Sequence, residues 1–232
     1  DPDYYCWGLT AFRWTDGKVH AYYSRWPKKS SFAGWMTHCE IAYAVADSPE
    51  GPFEFQNVVI EGRHVGGWDS VSAHNPAVCV AGDKIHLYYI SNDLRGEFEE
   101  SPGEKPPYPS DAWLKKNREL VRNRQCIGVA TASSPEGPFT RHPEPVVKPD
   151  NRLCKNIAVN PAVAFCEGRY LMIFKGDSMK HKKWFRIQLV GQSDRAEGPF
   201  AFQETPIYEK TQTEDACLWF DRGDNQYHTV FH

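Results

Sequence analysis

Short runs of apolar and aromatic residues alternate with polar turns along the whole chain, and the apolar runs have the length and spacing of strands. Val19-His20-Ala21-Tyr22-Tyr23, Ile85-His86-Leu87-Tyr88-Tyr89, Tyr170-Leu171-Met172-Ile173-Phe174 and Tyr227-His228-Thr229-Val230-Phe231 each follow a turn. The turns are Asp16-Gly17-Lys18, Gly82-Asp83-Lys84, Glu167-Gly168-Arg169 and Arg222-Gly223-Asp224. A second apolar run precedes each turn. It starts at Trp7-Gly8-Leu9, at His74-Asn75-Pro76-Ala77-Val78, at Val159-Asn160-Pro161-Ala162-Val163 and at Glu214-Asp215-Ala216-Cys217-Leu218-Trp219. Four hairpins of one kind are predicted.

A second kind is marked by three near-copies of one phrase: Asp47-Ser48-Pro49-Glu50-Gly51-Pro52-Phe53, Ser133-Ser134-Pro135-Glu136-Gly137-Pro138-Phe139 and Asp194-Arg195-Ala196-Glu197-Gly198-Pro199-Phe200. Each Gly-Pro pair closes an outer hairpin after a strand of small and branched residues, such as Ile41-Ala42-Tyr43-Ala44-Val45-Ala46. Four-stranded units repeated around an axis, with inner strands lining a channel, predict an all-β chain folded as a β-propeller. The reading is of one domain over residues 1–232, truncated at both ends, with about four blades visible and a C-terminal blade missing. A polar, Pro-rich insertion from about Asp93 to Arg124 interrupts the pattern. It carries a helix-like stretch, Ser110 to Leu120, beside the channel.

Composition narrows the partners. A net charge of −3 gives no basic footprint for nucleic acid. No apolar run is long enough to span a membrane as a helix. Eight Trp and eleven Tyr suit both β-sheet cores and flat carbohydrate rings. Seven cysteines without CxxC spacing argue against a disulfide framework and a zinc ribbon, and lean towards a reducing compartment. Cys39, Cys126 and Cys166 read as small buried thiols. No phosphate loop, dinucleotide fingerprint or nucleophile elbow is present, and no ligand spacing supports a metal.

On the repeated Gly-Pro-Phe turns, the Asn-Pro strand starts and the Glu214-Asp215 start followed by Leu218-Trp219 and Tyr227, the chain resembles the five-bladed propeller glycosidases around glycoside hydrolase family 43. The resemblance extends to their neighbours, including the exo-acting galactosidases of the family 117 type. It implies hydrolysis of a terminal glycosidic bond in a plant or algal polysaccharide or oligosaccharide, and export to the periplasm or beyond. It implies no cofactor; some propellers of this kind hold a calcium ion near an axial His, and His74 is the place to look. It also implies three carboxyl groups at the inner ends of different blades, as base, pKa modulator and acid.

The chain departs from that pattern at Asn75 and Asn160, where family 43 members carry Asp. An amide exchanges no proton at neutral pH, so neither Asn is a base, and both are expected to bind sugar hydroxyls. Glu214 matches the position of the family's acid, and a neighbouring Asp215 would disfavour its ionised form. The alternative is that one of the two caps the strand or binds an Arg. For the base the candidates are Asp3, a few residues before the first inner strand, and Asp69 in Gly66-Gly67-Trp68-Asp69, with Asp177 third; each also reads as a turn former or cap. His74 takes the place of Glu214 in its own blade, with pairing to Asp69 as the structural alternative. Lys175 and His232 follow inner strands at matching positions, where a cation would meet an anionic sugar or simply lie on the surface. Trp7 and Trp68 are candidate stacking platforms, and Trp219 is expected in the core. The rival reading is a non-catalytic propeller that binds a sugar or a partner in the same pocket.

Overall fold

The computed structural model describes residues 1–63, 67–97, 111–150 and 152–232. Its first blade pairs β1 (Tyr4–Arg13), β2 (Val19–Pro27), β3 (Glu40–Ala46) and β4 (Glu54–Ile60) in sequence order. The second pairs β5 (His74–Ala81), β6 (Lys84–Asn92), β7 (Gln125–Ala132) and β8 (Thr140–Arg141) in the same way. The third pairs β9 (Cys154–Cys166), β10 (Arg169–Ser178), β11 (Arg186–Ser193) and β12 (Ala201–Phe202), and a separate hairpin joins β13 (Ala216–Asp221) to β14 (Gln226–Phe231). Three four-stranded blades and the inner pair of a fourth are therefore present, as the repeats predict, in a β-propeller arrangement. The outermost strands β8 and β12 are only two residues long, and single bridges, Ile127 to Val147 and Gln188 to Tyr208, continue them.

The first strands pack against one another around the axis, β1 on β5, β5 on β9 and β9 on β13. Each of the first three bulges near its start. The ladder slips between Trp7 and Leu9, between His74 and Ala77, and opposite the step from Ile173 to Lys175. At the slip stand Gly8, Asn75 and Asn160, with φ of 54°, 47° and 52°. That left-handed conformation is open to Gly and tolerated by Asn, whose short polar side chain bonds locally. The Asn-Pro strand starts thus have a backbone reason, and Pro76 and Pro161 sit where a ladder donor is not needed.

The repeated outer turns also join the blades. Tyr22 on β2 donates its hydroxyl to the Pro135 carbonyl at 2.8 Å, and Tyr88 at the same position of β6 donates to the Ala196 carbonyl at 2.8 Å. Pro135 and Ala196 hold equal places in the second and third copies of the turn phrase, so these two copies each close their own hairpin and receive a tyrosine from the blade before. All three Gly-Pro bonds in these turns are cis. The histidine two residues upstream is repeated too. His20 reaches Asp16 at 3.1 Å across its hairpin, His228 reaches Asp224 at 2.8 Å across the last one, and His86 meets the Tyr170 hydroxyl at 3.1 Å.

Between the first two blades the core holds Tyr22, Ile41, Trp68, Leu87 and Tyr89; between the second and third it holds Tyr88, Ile127, Phe174 and Leu189. The insertion forms α1 (Asp111–Arg122), one residue later at its start than predicted and two residues longer at its end, with a break in helical geometry at Asn117. Val121 anchors it against Met36, Val71 and Leu94. Ser110 and the preceding residues from 98 lie outside the described set, as does Gly66. All seven cysteines are unpaired; Cys39 and Cys126 are buried as expected, whereas Cys166 is partly exposed.

Tyr88→Phe keeps the buried ring and leaves the Ala196 carbonyl without its donor. A loss of about 1–3 kcal/mol is expected, read as a lower urea midpoint with an unchanged slope.

Candidate functional site

In every blade the start of the first strand and the connection from second to third strand lie on one face of the propeller. They enclose an axial cavity of about 370 Å³, within the range of small-ligand sites, roughly 300–1,000 Å³. Its walls come from the connections. Trp26 lies near the end of β2, Phe32 and Trp35 stand on the second of two short 3-10 turns that follow, Arg118 and Arg122 project from α1, and Trp184 precedes β11. Its floor comes from the strand starts: Trp7, His74, Asn75, Asn160, Glu214 and Asp215, with Lys175 from β10. Grooves of about 480 and 490 Å³ at hairpin ends, one near Cys166 and Tyr227 and one near Asp16 and Glu136, contain none of these groups.

The floor is tied together across blades. Asn75 Nδ2 donates to Asn160 Oδ1 at 3.3 Å, and Asn160 Nδ2 donates in turn to Asp215 Oδ1. Glu214 Oε2 accepts from Lys175 Nζ, and its Oε1 lies 2.5 Å from Arg186 Nη1. The same ammonium lies 3.9 Å from Asp215 Oδ1. Lys175, its side chain only 8% exposed, therefore stands between the two adjacent acids and offsets the repulsion expected between them. The backbone carbonyl of Glu214 accepts from Gln188 Nε2 at 2.7 Å, which fixes this strand start to the third blade.

His74 is buried beside this cluster, edge-on to Trp35 at 5.3 Å, with Nδ1 3.3 Å from Asn75 Oδ1. Burial pushes its pKa down to about 4; the Asn75 side chain opposes this, and the positive charge of Lys175 adds a smaller downward push. The imidazole is thus neutral at physiological pH, and its Nε2 has no partner among the described residues.

Comparison with known proteins supports the same architecture. No family model matches the sequence, and no curated protein does. Among solved structures, a family 117 glycoside hydrolase of the marine bacterium Zobellia galactanivorans superposes with a TM-score of 0.66 and 17% identity, over 99% of this chain and 67% of its own. An endo-arabinase of Bacteroides thetaiotaomicron gives 0.64 and 13% over 97% and 69%, and a thermostable family 43 glycoside hydrolase 0.62 and 14% over 98% and 65%. The fold is that of the glycoside hydrolase propellers. This chain spans about two thirds of the length of these structures.

Within that fold the sequence-predicted residues divide. Glu214, Asp215, His74, Asn75, Asn160, Trp7 and Lys175 all line the cavity. Trp68 does not: it is fully buried, stacked 5.6 Å from Tyr89 and pressed against Gly128, where an added Cβ would stand 2.3 Å from the indole. It is a core residue and no sugar platform. Asp69 is also fully buried, bound by Arg63 at 2.7 Å, Arg141 at 3.2 Å and the Tyr89 hydroxyl at 2.7 Å, and that knot consumes it as a base. It does not pair with His74 in this arrangement. Asp177 holds Arg122 through two bonds of 2.7 and 3.0 Å and accepts from Asn156 at 3.0 Å, which docks α1 on the third blade. Asp3 is exposed at the start of β1, its carbonyl accepting from the Lys28 N–H at 2.9 Å. His232 is exposed and meets Glu214 through its backbone carbonyl. Trp219, expected in the core, is 44% exposed and stacks on His228.

Sequence reasoning missed Arg186, Trp35, Phe32, Trp184 and Arg118 as site residues. Arg186 was findable: it opens the third strand of its blade, as Glu40 and Gln125 open theirs, and its ladder partner is Asp177. One group of possible metal ligands occurs among the described residues, Asp221, Asp224 and His228 at the last hairpin turn. Its Asp224–His228 contact repeats the Asp16–His20 contact of the first blade, a turn staple in both.

Asp177→Asn leaves the Arg122 guanidinium without its paired charge, a loss of about 3–5 kcal/mol in buried pairs. Faster amide exchange confined to residues 111–122, with the blades unchanged, is the expected result. His74 contributes to acid sensitivity. Its folded pKa of about 4 lies below the unfolded value near 6.5, so the unfolded chain takes up the proton first and stability falls as pH drops from 6.5 to 4. Roughly 3 kcal/mol is at stake. Urea midpoints measured across that window should converge between wild type and His74→Gln as the pH is lowered.

Proposed function

We propose that the axial cavity binds a carbohydrate and that the propeller hydrolyses a terminal glycosidic bond of a plant or algal oligosaccharide, with Glu214 as proton donor. The observation that carries this reading is a carboxyl group on the axis at the floor of an aromatic-walled cavity of sugar size. Indole and phenyl faces stack on the apolar faces of sugar rings. Neutral His74 and the two asparagines offer donors and acceptors to hydroxyls. The glycoside hydrolase activity of structures sharing the fold agrees with it.

Hydrolysis needs an acid at the leaving oxygen and a carboxylate that activates water or attacks directly. Glu214 has both oxygens engaged, by Lys175 and by Arg186. To donate it must lose one partner. Arg186, with 34% of its side chain exposed against 8% for Lys175, is the one that an incoming substrate displaces. Released from Arg186, the Glu214 carboxylate takes up a proton from solvent; that proton passes to the glycosidic oxygen, the bond from that oxygen to the anomeric carbon breaks, and water adds to the carbon while giving its proton to the base. Of the base candidates, Asp69 and Asp177 are tied to arginines, which leaves Asp3, exposed just before β1 and outside the cavity lining, for that role.

One observation favours the non-catalytic reading: Gly8, Asn75 and Asn160 stand at three strand starts that face the axis, and none carries a carboxylate. The two readings separate on a panel of aryl arabinosides and galactosides. In the hydrolytic reading Glu214→Gln lowers kcat by about 100-fold or more and leaves sugar binding in place. Full rate in this variant removes Glu214 as the donor. Sugar binding by the wild-type protein without turnover of any glycoside establishes the non-catalytic reading.

A further inference from the structure

Resting on the proposed carbohydrate site, we infer that the natural substrate carries an anionic group, a carboxylate or a sulfate on the sugar, and that this group engages Arg186 and Arg118 and so frees Glu214. The cavity is lined by four cations, Arg118, Arg122, Lys175 and Arg186, against two carboxylates, Glu214 and Asp215. Arg122 is spent on Asp177, which lies outside the lining, and Lys175 and Arg186 share Glu214. Arg118 has no carboxylate partner among the described residues. It stands one helical turn before Arg122 on α1, so the two share a face, and the Arg122–Asp177 clamp holds that face over the cavity.

A neutral sugar makes poor use of this wall. It leaves Arg118 unpaired and gives Arg186 no reason to release Glu214. A carboxylate or sulfate fits a guanidinium through paired N–H donors, which a hydroxyl cannot match. Bound to Arg186, it replaces the Glu214 oxygen as acceptor and leaves that oxygen open to the glycosidic bond. Recognition of the anion and readiness of the acid are then one event. Arg186 in this scheme is a positioning residue for Glu214.

The test is titration calorimetry of the wild-type protein with uronic-acid, sulfated and neutral oligosaccharides of equal length, at low and high salt. One anionic series should bind at least about tenfold more tightly than the neutral one at low salt, the size of a charge-assisted hydrogen bond. That advantage should collapse at high salt, where exposed charges are screened, and in Arg118→Gln and Arg186→Gln. Whichever anionic series shows it identifies the substituent. In turnover, Arg186→Gln should lower the ratio of kcat/KM for anionic over neutral glycosides by about tenfold or more, and thermal unfolding of both variants reports that they are folded. Equal, salt-insensitive binding of neutral and anionic sugars with turnover of the neutral ones overturns the inference and leaves the glycosidase reading standing. Binding of no sugar in any series overturns both.

Discussion

Left-handed backbone at the axis is the constraint from which the site follows. Gly8, Asn75 and Asn160 take that conformation at equal places in three first strands, and the bulges they make bring the strand starts together. An asparagine serves there in two ways. It tolerates the conformation, and its amide both donates and accepts, so Asn75, Asn160 and Asp215 form a line in which each donor meets an oxygen. Aspartates at both positions would put three carboxylates side by side with no proton among them. The departure from the family pattern is thus compatible with a floor that holds its charge in one place, at Glu214 and Asp215 above Lys175.

Much of the fold was legible because it repeats. Strand periodicity, glycine turns and the Gly-Pro phrase are local signals, and three or four copies of each reinforce one another, so the hairpins lie where the sequence puts them. The strand starts were legible for the same reason, and they supplied the cavity floor. The walls were not. Phe32, Trp35 and Trp184 belong to connections that have no counterpart from one blade to the next, and nothing local says that these loops turn inward over the axis. Trp68 and Asp69 failed for a related reason: they sit in a loop, where exposure is the ordinary expectation, yet this loop dives between two blades. There Gly128 makes room for the indole, and Arg141 arrives from a distant part of the chain to join Arg63 of the same loop at the carboxylate. Long-range partners of that sort leave no trace in spacing.

The insertion shows how such a partner builds a site. Among its described side chains Val121 joins the core, and Arg122 ties the helix to another blade through its ion pair with Asp177. With Asp177 as its anchor, Arg122 settles over the Trp184 ring at 4.0 Å and completes a wall of alternating aromatic and cationic surface. An aspartate that looked like a third choice for catalysis helps decide where a helix lies.

The joints between blades are not alike. Tyr22 and Tyr88 bolt the first two to the turns ahead of them, but the equal position in the third blade is Ile173, which has no hydroxyl to give. Besides the Tyr208 ring on Phe231 at 5.0 Å, the contacts from that blade to the last hairpin include polar, central ones: Lys175 and Arg186 to Glu214, Gln188 to its carbonyl, Asn160 to Asp215. These are the cavity's own groups or their direct supports. Several of the seam's fastenings therefore line the cavity, and on the proposed carbohydrate reading a sugar that draws Arg186 away would loosen one of them as it settles. Under that proposal, occupancy of the cavity and docking of the last hairpin are linked through the Arg186 guanidinium.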